Sequence, residues 1–233
     1  MSASGAPPAL ILFDIDGTLI RRAGPHHRQA LCDAVRKVTG LDAPLDHIPV
    51  QGMLDRTIVE RMMLDAGASR SLVRRAMPAI VETAQRLYVR RAPATLRSKV
   101  CPGVRGLLGR LTRAKVPMGL VTGNLSRIGW LKMERAGLRE HFRFGAFAES
   151  AKDRAGLVRI ALRRARGERW LGRDTRVWLV GDHQNDVAAA HANRVRSLAV
   201  ATGISPRDEL AACSPDLLLD DLRGLTLEAL TGR

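Results

Sequence analysis

"ILFDIDGTLI", residues 11–20, is the stretch that decides the fold of this 233-residue chain. The apolar run from Ala9 to Phe13 has the continuous hydrophobicity of a strand in a parallel sheet that is covered on both faces. This run leads directly into Asp14 and Asp16, which are followed by Gly17 and a threonine. Unpaired buried carboxylates are costly, so both aspartates need partners. We therefore expect a functional site at the end of this strand.

Helices and strands alternate from residue 104 onward, and two further strands also end in polar or acidic residues. These ends read "VTGN" at residues 121–124 and "VGDHQND" at residues 180–186. Alternation of this type predicts a parallel α/β sheet with right-handed crossovers. Active sites of such sheets lie beyond the carboxyl ends of the strands. Folding is therefore expected to bring three distant segments to one site.

The segment between the first strand and the alternating region has a helical pattern and no convincing strand. Two of its helical stretches end at Gly40 and Gly67, and the third is interrupted at Pro78. We predict an α/β core domain of residues 1–20 and 97–233, with an inserted all-helical domain of residues 21–96.

Composition and charge limit the possible partners. The formal net charge is +15, but the 33 arginines and five lysines are spread over most helical segments, and aromatic residues make up only 3% of the chain. Base-stacking platforms need more aromatic residues, so we predict no dedicated nucleic-acid binding. No apolar run is long enough to cross a membrane, which favours a cytoplasmic protein that does not bind membranes. We expect a monomer or a homodimer. A small phosphorylated substrate fits the positive charge.

The acidic residues at the strand ends suggest a metal site. Residues two apart in an extended strand point to the same side, so Asp14 and Asp16 would face one pocket if the strand geometry persists beyond Phe13; their repulsion would be relieved by a hard cation such as Mg²⁺. Asp182 and Asp186 supply carboxylates at another strand end. Five histidines lack metal-like spacing and are interpreted as surface or capping residues: His26, His27, His47, His183 and His191.

The turn after the second of these strands offers groups that suit a phosphate. Thr122 carries a hydroxyl, and the turn through Gly123 and Asn124 presents backbone amides that can hold phosphate oxygens. Together with the acidic residues, this turn favours phosphoryl transfer.

In this order and spacing, the motifs resemble those of the haloacid dehalogenase-like hydrolases. "DIDGT" is similar to their first motif, "VTGN" to their second and "GDHQND" to their fourth, and the likeness extends over nearly the whole chain. The resemblance is to the phosphoglycolate phosphatase-like branch. It implies a Rossmann-like core with a mobile helical cap inserted after the first strand.

The resemblance also implies roles for individual residues. Asp14 would attack phosphorus and form an aspartyl-phosphate, and Asp16 would protonate the leaving oxygen and later activate water. The transferring phosphoryl group would be bound by Thr122, Gly123 and Asn124. Mg²⁺ would be held by Asp14, the backbone carbonyl of Asp16, Asp182 and Asp186.

The third motif of the family, a cation before a late core helix, has two candidates here. Lys152 matches when the helix is aligned on Ile160 and Ala161, and it is narrowly favoured. Arg154 matches a subgroup in which "DR" opens the helix. In the inserted segment, Asp55 and Arg56 could touch substrate when the cap closes.

Together with these motifs, the resemblance implies a magnesium-dependent phosphatase of a small phosphorylated metabolite, such as phosphoglycolate, a sugar phosphate or a nucleoside monophosphate. Dehalogenase chemistry is disfavoured because it normally lacks the second aspartate, which is Asp16 here. A phosphomutase of the β-phosphoglucomutase type keeps both aspartates and remains an alternative. So does a non-catalytic regulatory or binding protein on the same fold.

Overall fold

The centre of the molecule is a parallel sheet of six strands. The structure, a computed structural model, describes residues 6–21 and 24–232. Outside the described residues lie residues 1–5 and 233 of the predicted core, and residues 22 and 23 of the predicted helical domain. The strands are β1 (Ala9–Phe13), β2 (Met118–Val121), β3 (Phe144–Ala146), β4 (Arg176–Gly181), β5 (Arg196–Val200) and β6 (Leu217–Leu219).

The strand order is β3-β2-β1-β4-β5-β6, and every neighbouring pair is parallel. This is the doubly wound order, in which the chain changes direction across the sheet between β3 and β4. The crevice created by that change lies beyond the carboxyl ends of β1 and β4. The predicted Rossmann-like α/β fold is therefore confirmed, and Asp14 and Asp182 directly follow the two strands at this crevice.

Helices connect the strands and cover both faces of the sheet. Within the described residues, no helix is long and apolar enough to span a bilayer. The helices are α1 (His26–Thr39), α2 (Asp55–Asp65), α3 (Arg70–Arg91), α4 (Val104–Arg113), α5 (Ser126–Ala136), α6 (Arg154–Gly167), α7 (Gln184–Ala192), α8 (Arg207–Ala212) and α9 (Leu227–Thr231).

Of the four α-helices that the structure describes between β1 and β2 in the chain, the first three, α1 to α3, pack mainly against one another, with α3 also contacting α5. As expected, α1 ends at Gly40, which adopts the left-handed conformation. The expected interruption at Pro78 was wrong, because α3 runs through this residue without a break. Pro78 has no amide proton to donate to the carbonyl of Arg74, four residues earlier in the helix. Both residues are exposed, so water can donate to this carbonyl instead.

Alternate side chains of β1 enter two hydrophobic clusters on opposite faces of the sheet. Leu10 and Leu12 pack in the cluster that contains α1, α2, α3, α6 and α7. Ile11 and Phe13 pack in the cluster formed with α4, α5 and α9. With both faces buried, the polar end of β1 is where this strand meets solvent-accessible space.

Candidate active site

The chain turns sharply where β1 ends. The amide of Asp14 still bonds Val180 of β4, at 2.9 Å, so the first aspartate is held in line with the sheet. After it, the amide of Gly17 donates to the carbonyl of Ile20 at 2.7 Å, and Gly17 has φ of +90°. A side chain at Gly17 would also collide with the carboxylate of Asp182. This position therefore requires glycine on two grounds.

Three buried carboxylates meet at the ends of β1 and β4. Oxygens of Asp14, Asp182 and Asp186 all lie within 4.8 Å of one another. Burial, and then the nearby charge of Asp14, raises the pKa of Asp182 well above its ordinary range; burial also raises that of Asp186. Thr18 donates a hydrogen bond to Asp182 at 3.0 Å. The cluster concentrates negative charge and offers hard oxygen ligands, which suit a divalent cation.

Arg154 neutralises part of this cluster. It is the first residue of α6, and its Nη1 lies 3.1 Å from Asp14 Oδ1 and 2.6 Å from Asp186 Oδ1. Burial disfavours the charged form, but the carboxylates of Asp14 and Asp186 outweigh it and raise the pKa of Arg154. The Nε of Arg154 is buried and has no hydrogen-bond partner among the described residues. Lys152, in contrast, is exposed and does not line the central cavity.

Asp16 belongs to a second cluster. Lys132 Nζ, on α5, donates to both oxygens of Asp16, at 2.8 and 2.6 Å, and to Asn124 Oδ1 at 2.6 Å. Asn124 Nδ2 also donates to Asp16, at 2.8 Å. Its position in the cavity disfavours ionisation of Asp16, yet the charge of Lys132 and the hydrogen bonds from Lys132 and Asn124 keep its pKa below the ordinary value. The two aspartates that follow β1 therefore have different cations as partners.

The turn after β2 lies between these clusters and the inserted helices. The Thr122 hydroxyl oxygen is buried and accepts from Asn124 Nδ2 at 2.7 Å. A side chain at Gly123 would overlap the Met53 carbonyl, and the Gly123 carbonyl accepts from the amide of Asp55 at 2.8 Å. The turn is thus packed tightly against the segment that leads into α2.

Asp55 is buried and already has two partners. Its Oδ2 accepts from the amide of Leu125, at the start of α5, at 2.8 Å, and lies 2.9 Å from His27 Nε2. Its carboxylate therefore joins the inserted helices to the core, although the residue also lines the central cavity. Arg56 is exposed, donates to the Glu149 carbonyl at 3.3 Å, and does not line this cavity.

A cavity of about 900 Å³ connects these groups. Its walls come from the strand ends and from the segment that contains α1 and α2, and they include apolar side chains such as Leu31, Val50 and Ile58. The basic side chains that line it are Arg21, Arg28, Lys99, Lys132 and Arg154. The cavity therefore combines an acidic floor with several cations, which is suitable for an anionic ligand together with a metal ion.

Sequence reasoning missed Lys132 and misinterpreted His27. Lys132 lies on the buried stripe of α5 that also holds Ile128, Met133 and Ala136. One lysine on an otherwise apolar stripe was the available signal, because a buried ammonium needs partners. The interpretation of the histidines as surface or capping residues was right for His183, which caps α7, and wrong for His27, which contacts Lys132 and Asp55 inside the cavity.

The chain belongs to the haloacid dehalogenase-like hydrolase family, whose model matches residues 8–193. It is 28% identical to a phosphoglycolate phosphatase of Chromobacterium violaceum, over 87% of this chain and 89% of the relative. It is 29% identical to a phosphoglycolate phosphatase of Synechococcus elongatus, over 95% of this chain and 96% of the relative. These similarities support a phosphoric monoester hydrolase of the phosphoglycolate phosphatase-like branch.

The fold is also similar to that of solved structures. A crystal structure of β-phosphoglucomutase from Clostridium difficile superimposes with a TM-score of 0.74 at 19% identity, covering 97% of this chain and 96% of that one. At this level of identity the similarity concerns the fold, and it does not separate a phosphatase from a mutase.

Proposed function

We propose that the chain is a magnesium-dependent phosphatase that acts on a small phosphorylated metabolite through an aspartyl-phosphate on Asp14. The observation that carries this proposal is that the two aspartates that follow β1 are paired with two different cations. Asp14 lies beside Arg154 in the acidic cluster, whereas Asp16 lies beside Lys132. One carboxylate is thus arranged for attack and the other for proton transfer.

The donor set of the acidic cluster fits Mg²⁺. Three buried carboxylates with one guanidinium leave an excess of negative charge that a divalent cation would balance. The ligands we propose are Asp14, Asp182 and Asp186, with the backbone carbonyl of Asp16. When bound, the ion would offset the charge of the phosphoryl oxygens that face Asp14.

The proposed reaction has two displacements at phosphorus. A carboxylate oxygen of Asp14 attacks, the bond to the substrate oxygen breaks, and that oxygen takes a proton from Asp16. Asp16 is ionised beside Lys132 in the free protein, and it takes up this proton when the negative substrate enters the cavity. In the second displacement, Asp16 accepts a proton from water as the water oxygen attacks phosphorus. Inorganic phosphate leaves and the carboxylate of Asp14 is restored.

The remaining site residues would bind the phosphoryl group. The Thr122 oxygen only accepts in the contacts described, so its proton is available to a phosphoryl oxygen. The buried guanidinium of Arg154 would offset the negative charge of Asp14 and of the phosphoryl oxygens. Its Nε has no protein partner among the described residues and could donate to a phosphoryl oxygen. The Asn124 side chain is engaged by Asp16, Thr122 and Lys132, which leaves the turn at Gly123 for backbone contacts.

We further propose that residues 21–96 form a cap that controls access to the cavity and selects the substrate. Helices α1 and α2 supply part of the cavity wall, including Arg28 and Ile58. Because basic side chains line the cavity beyond Arg154, a substrate with a second anionic group fits best. Phosphoglycolate has such a group, and the relatives named above carry its name.

A panel of phosphorylated metabolites, assayed for phosphate release with and without Mg²⁺, tests the proposal. The native protein should release phosphate selectively, and Asp14→Asn should abolish release. Conversion of a sugar phosphate into its isomer without net release would favour the phosphomutase. No reaction with any compound would favour a binding protein that keeps the residues of the site.

A further inference from the structure

The side chain of Lys132 is almost completely buried, at 2% exposure, and its Nζ forms an ion pair with Asp16 at 2.6 Å. Burying an ammonium costs several kcal/mol unless hydrogen-bonding partners compensate. The partners of Lys132 all belong to the site: both carboxylate oxygens of Asp16, Oδ1 of Asn124, and Nδ1 of His27 at 3.3 Å. An ammonium has three protons to donate, so these contacts use its full capacity.

Asp16 depends on these contacts for its orientation. Its side chain is 40% exposed and precedes the Gly17 turn, so packing alone does not fix the carboxylate. Within the described residues, the side chains that donate to it are Lys132 and Asn124. Asn124 is itself held by Lys132. Lys132 therefore restrains the carboxylate both directly and through a neighbour.

The contacts continue into the inserted helices. His27, on α1, places Nε2 2.9 Å from the carboxylate of Asp55 and Nδ1 3.3 Å from Nζ of Lys132, so its ring bridges these two side chains. The ring of His27 also packs edge-on against Tyr88 of α3, with centroids 5.7 Å apart. A continuous path of side chains thus joins Asp16 to the inserted helices through Lys132, His27 and Asp55.

We propose that Lys132 is a positioning residue, which holds the carboxylate of Asp16 in the orientation needed for proton transfer and is itself oriented by His27. This inference rests on the proposed function, because it assigns a task to the proton-transfer group of that reaction. Direct phosphate binding is a poorer assignment, since the donors of Lys132 are already engaged and its side chain is buried. Arg154 already supplies the cation beside Asp14.

Lys132→Met keeps the length of the side chain and removes the charge, so it is the main variant. We expect kcat for phosphoglycolate to fall by about 100-fold with KM changed less than about threefold, because a misplaced proton-transfer group affects the reaction more than binding. The readout that separates positioning from general damage is a double-mutant cycle with Asp16→Asn. The double variant should be no slower than Asp16→Asn alone, within about twofold.

Two further variants complete the test. Lys37→Met, at an exposed lysine of α1, is the matched control and should retain native rates. His27→Gln changes a half-buried residue with little risk to the fold. It should lower kcat about tenfold at unchanged KM, again with no added loss in the Asp16→Asn background. If Lys132→Met does not fold, the His27→Gln cycle decides in its place.

Three results would overturn the inference: native kcat in Lys132→Met, a large increase in KM with kcat unchanged, or losses that multiply with Asp16→Asn. If the native protein releases no phosphate from any compound, the proposed function fails and a crystal structure of Lys132→Met decides on the positioning. A displaced Asp16 carboxylate would support it, and a carboxylate in its present orientation would contradict it.

Discussion

The guanidinium of Arg154 lies 3.1 Å from the carboxylate of Asp14. The two residues come from the start of α6 and the end of β1, and both are buried. Lys152, two residues earlier, is exposed to solvent. The structure therefore brings Arg154, and not Lys152, to the residue that we propose as the nucleophile.

This relationship gives a direct prediction for the two cations. Arg154→Met should lower kcat/KM by about 100-fold or more, because a buried charge partner of Asp14 and of the phosphoryl group is lost. Lys152→Met should keep rates within about twofold of native, because an exposed side chain away from the cavity contributes little. Steady-state kinetics on both variants checks this. Loss of activity in Lys152→Met with retention in Arg154→Met would reverse the assignment.

The acidic cluster predicts how pH changes stabilisation by metal. Burial raises the pKa values of Asp182 and Asp186, so the metal-free folded state binds more protons than the unfolded state. The contribution of these groups to stability is therefore present at low pH and is lost as pH rises through the raised pKa values. Mg²⁺ competes with these protons, so it should raise Tm more at about pH 8 than at about pH 6.

Thermal unfolding at both pH values, with and without Mg²⁺, measures this effect. Asp182→Asn is the control and should reduce the Mg²⁺-dependent increase at the higher pH. An equal increase at both pH values would argue that the ion does not bind at the acidic cluster.

A side chain at position 203 is expected to disturb the acidic cluster sterically. A methyl group at this position would overlap the carboxylate of Asp182, whereas one at Gly224 would meet open space. Gly203→Ala should therefore weaken Mg²⁺ binding and lower kcat/KM by about tenfold or more, since small displacements of site groups are costly. Gly224→Ala should leave both quantities near native. Mg²⁺ titration of activity checks the pair, and equal behaviour of the two variants would contradict the geometry.

Asp55 either joins the inserted helices to the core or contacts the substrate, and a stability measurement separates these two roles. Asp55→Ala should lower the free energy of unfolding by about 2 kcal/mol, because it leaves the buried amide of Leu125 and the His27 ring without their acceptor. Asp46→Ala removes an exposed carboxylate and should change stability by less than about 0.5 kcal/mol. Urea denaturation measures both. Native stability in Asp55→Ala, with a raised KM, would instead favour the substrate contact considered from the sequence.

Much of the fold could be predicted from local sequence. The apolar run before Asp14 and the later alternation of helices and strands indicated the parallel sheet, because each signal depends on neighbouring residues. Pro78 was misjudged because the cost of a proline in a helix depends on whether the freed carbonyl faces water, which a local pattern does not reveal.

The site was predictable where residues follow strands and less so where they reach it from helices. Asp14, Thr122 and Asp182 come directly after strands whose ends meet, so topology alone brings them together. Lys132 lies 116 positions from Asp16, and its role depends on which face of α5 is buried and against what. The choice between Lys152 and Arg154 likewise depends on where α6 begins, which sequence patterns locate to within a few residues only.

The central claim is that phosphoryl transfer passes through a covalent intermediate on Asp14. The most direct test is mass spectrometry of Asp16→Asn after brief reaction with p-nitrophenyl phosphate and Mg²⁺, followed by acid quenching. This leaving group needs little protonation, so Asp14 should still be phosphorylated, while hydrolysis of the intermediate should slow without the Asp16 carboxylate. The account predicts one added phosphoryl group, mapped to Asp14 and absent when Asp14→Asn is also introduced. A phosphoryl group on another residue, or native turnover by Asp14→Asn alone, would contradict it.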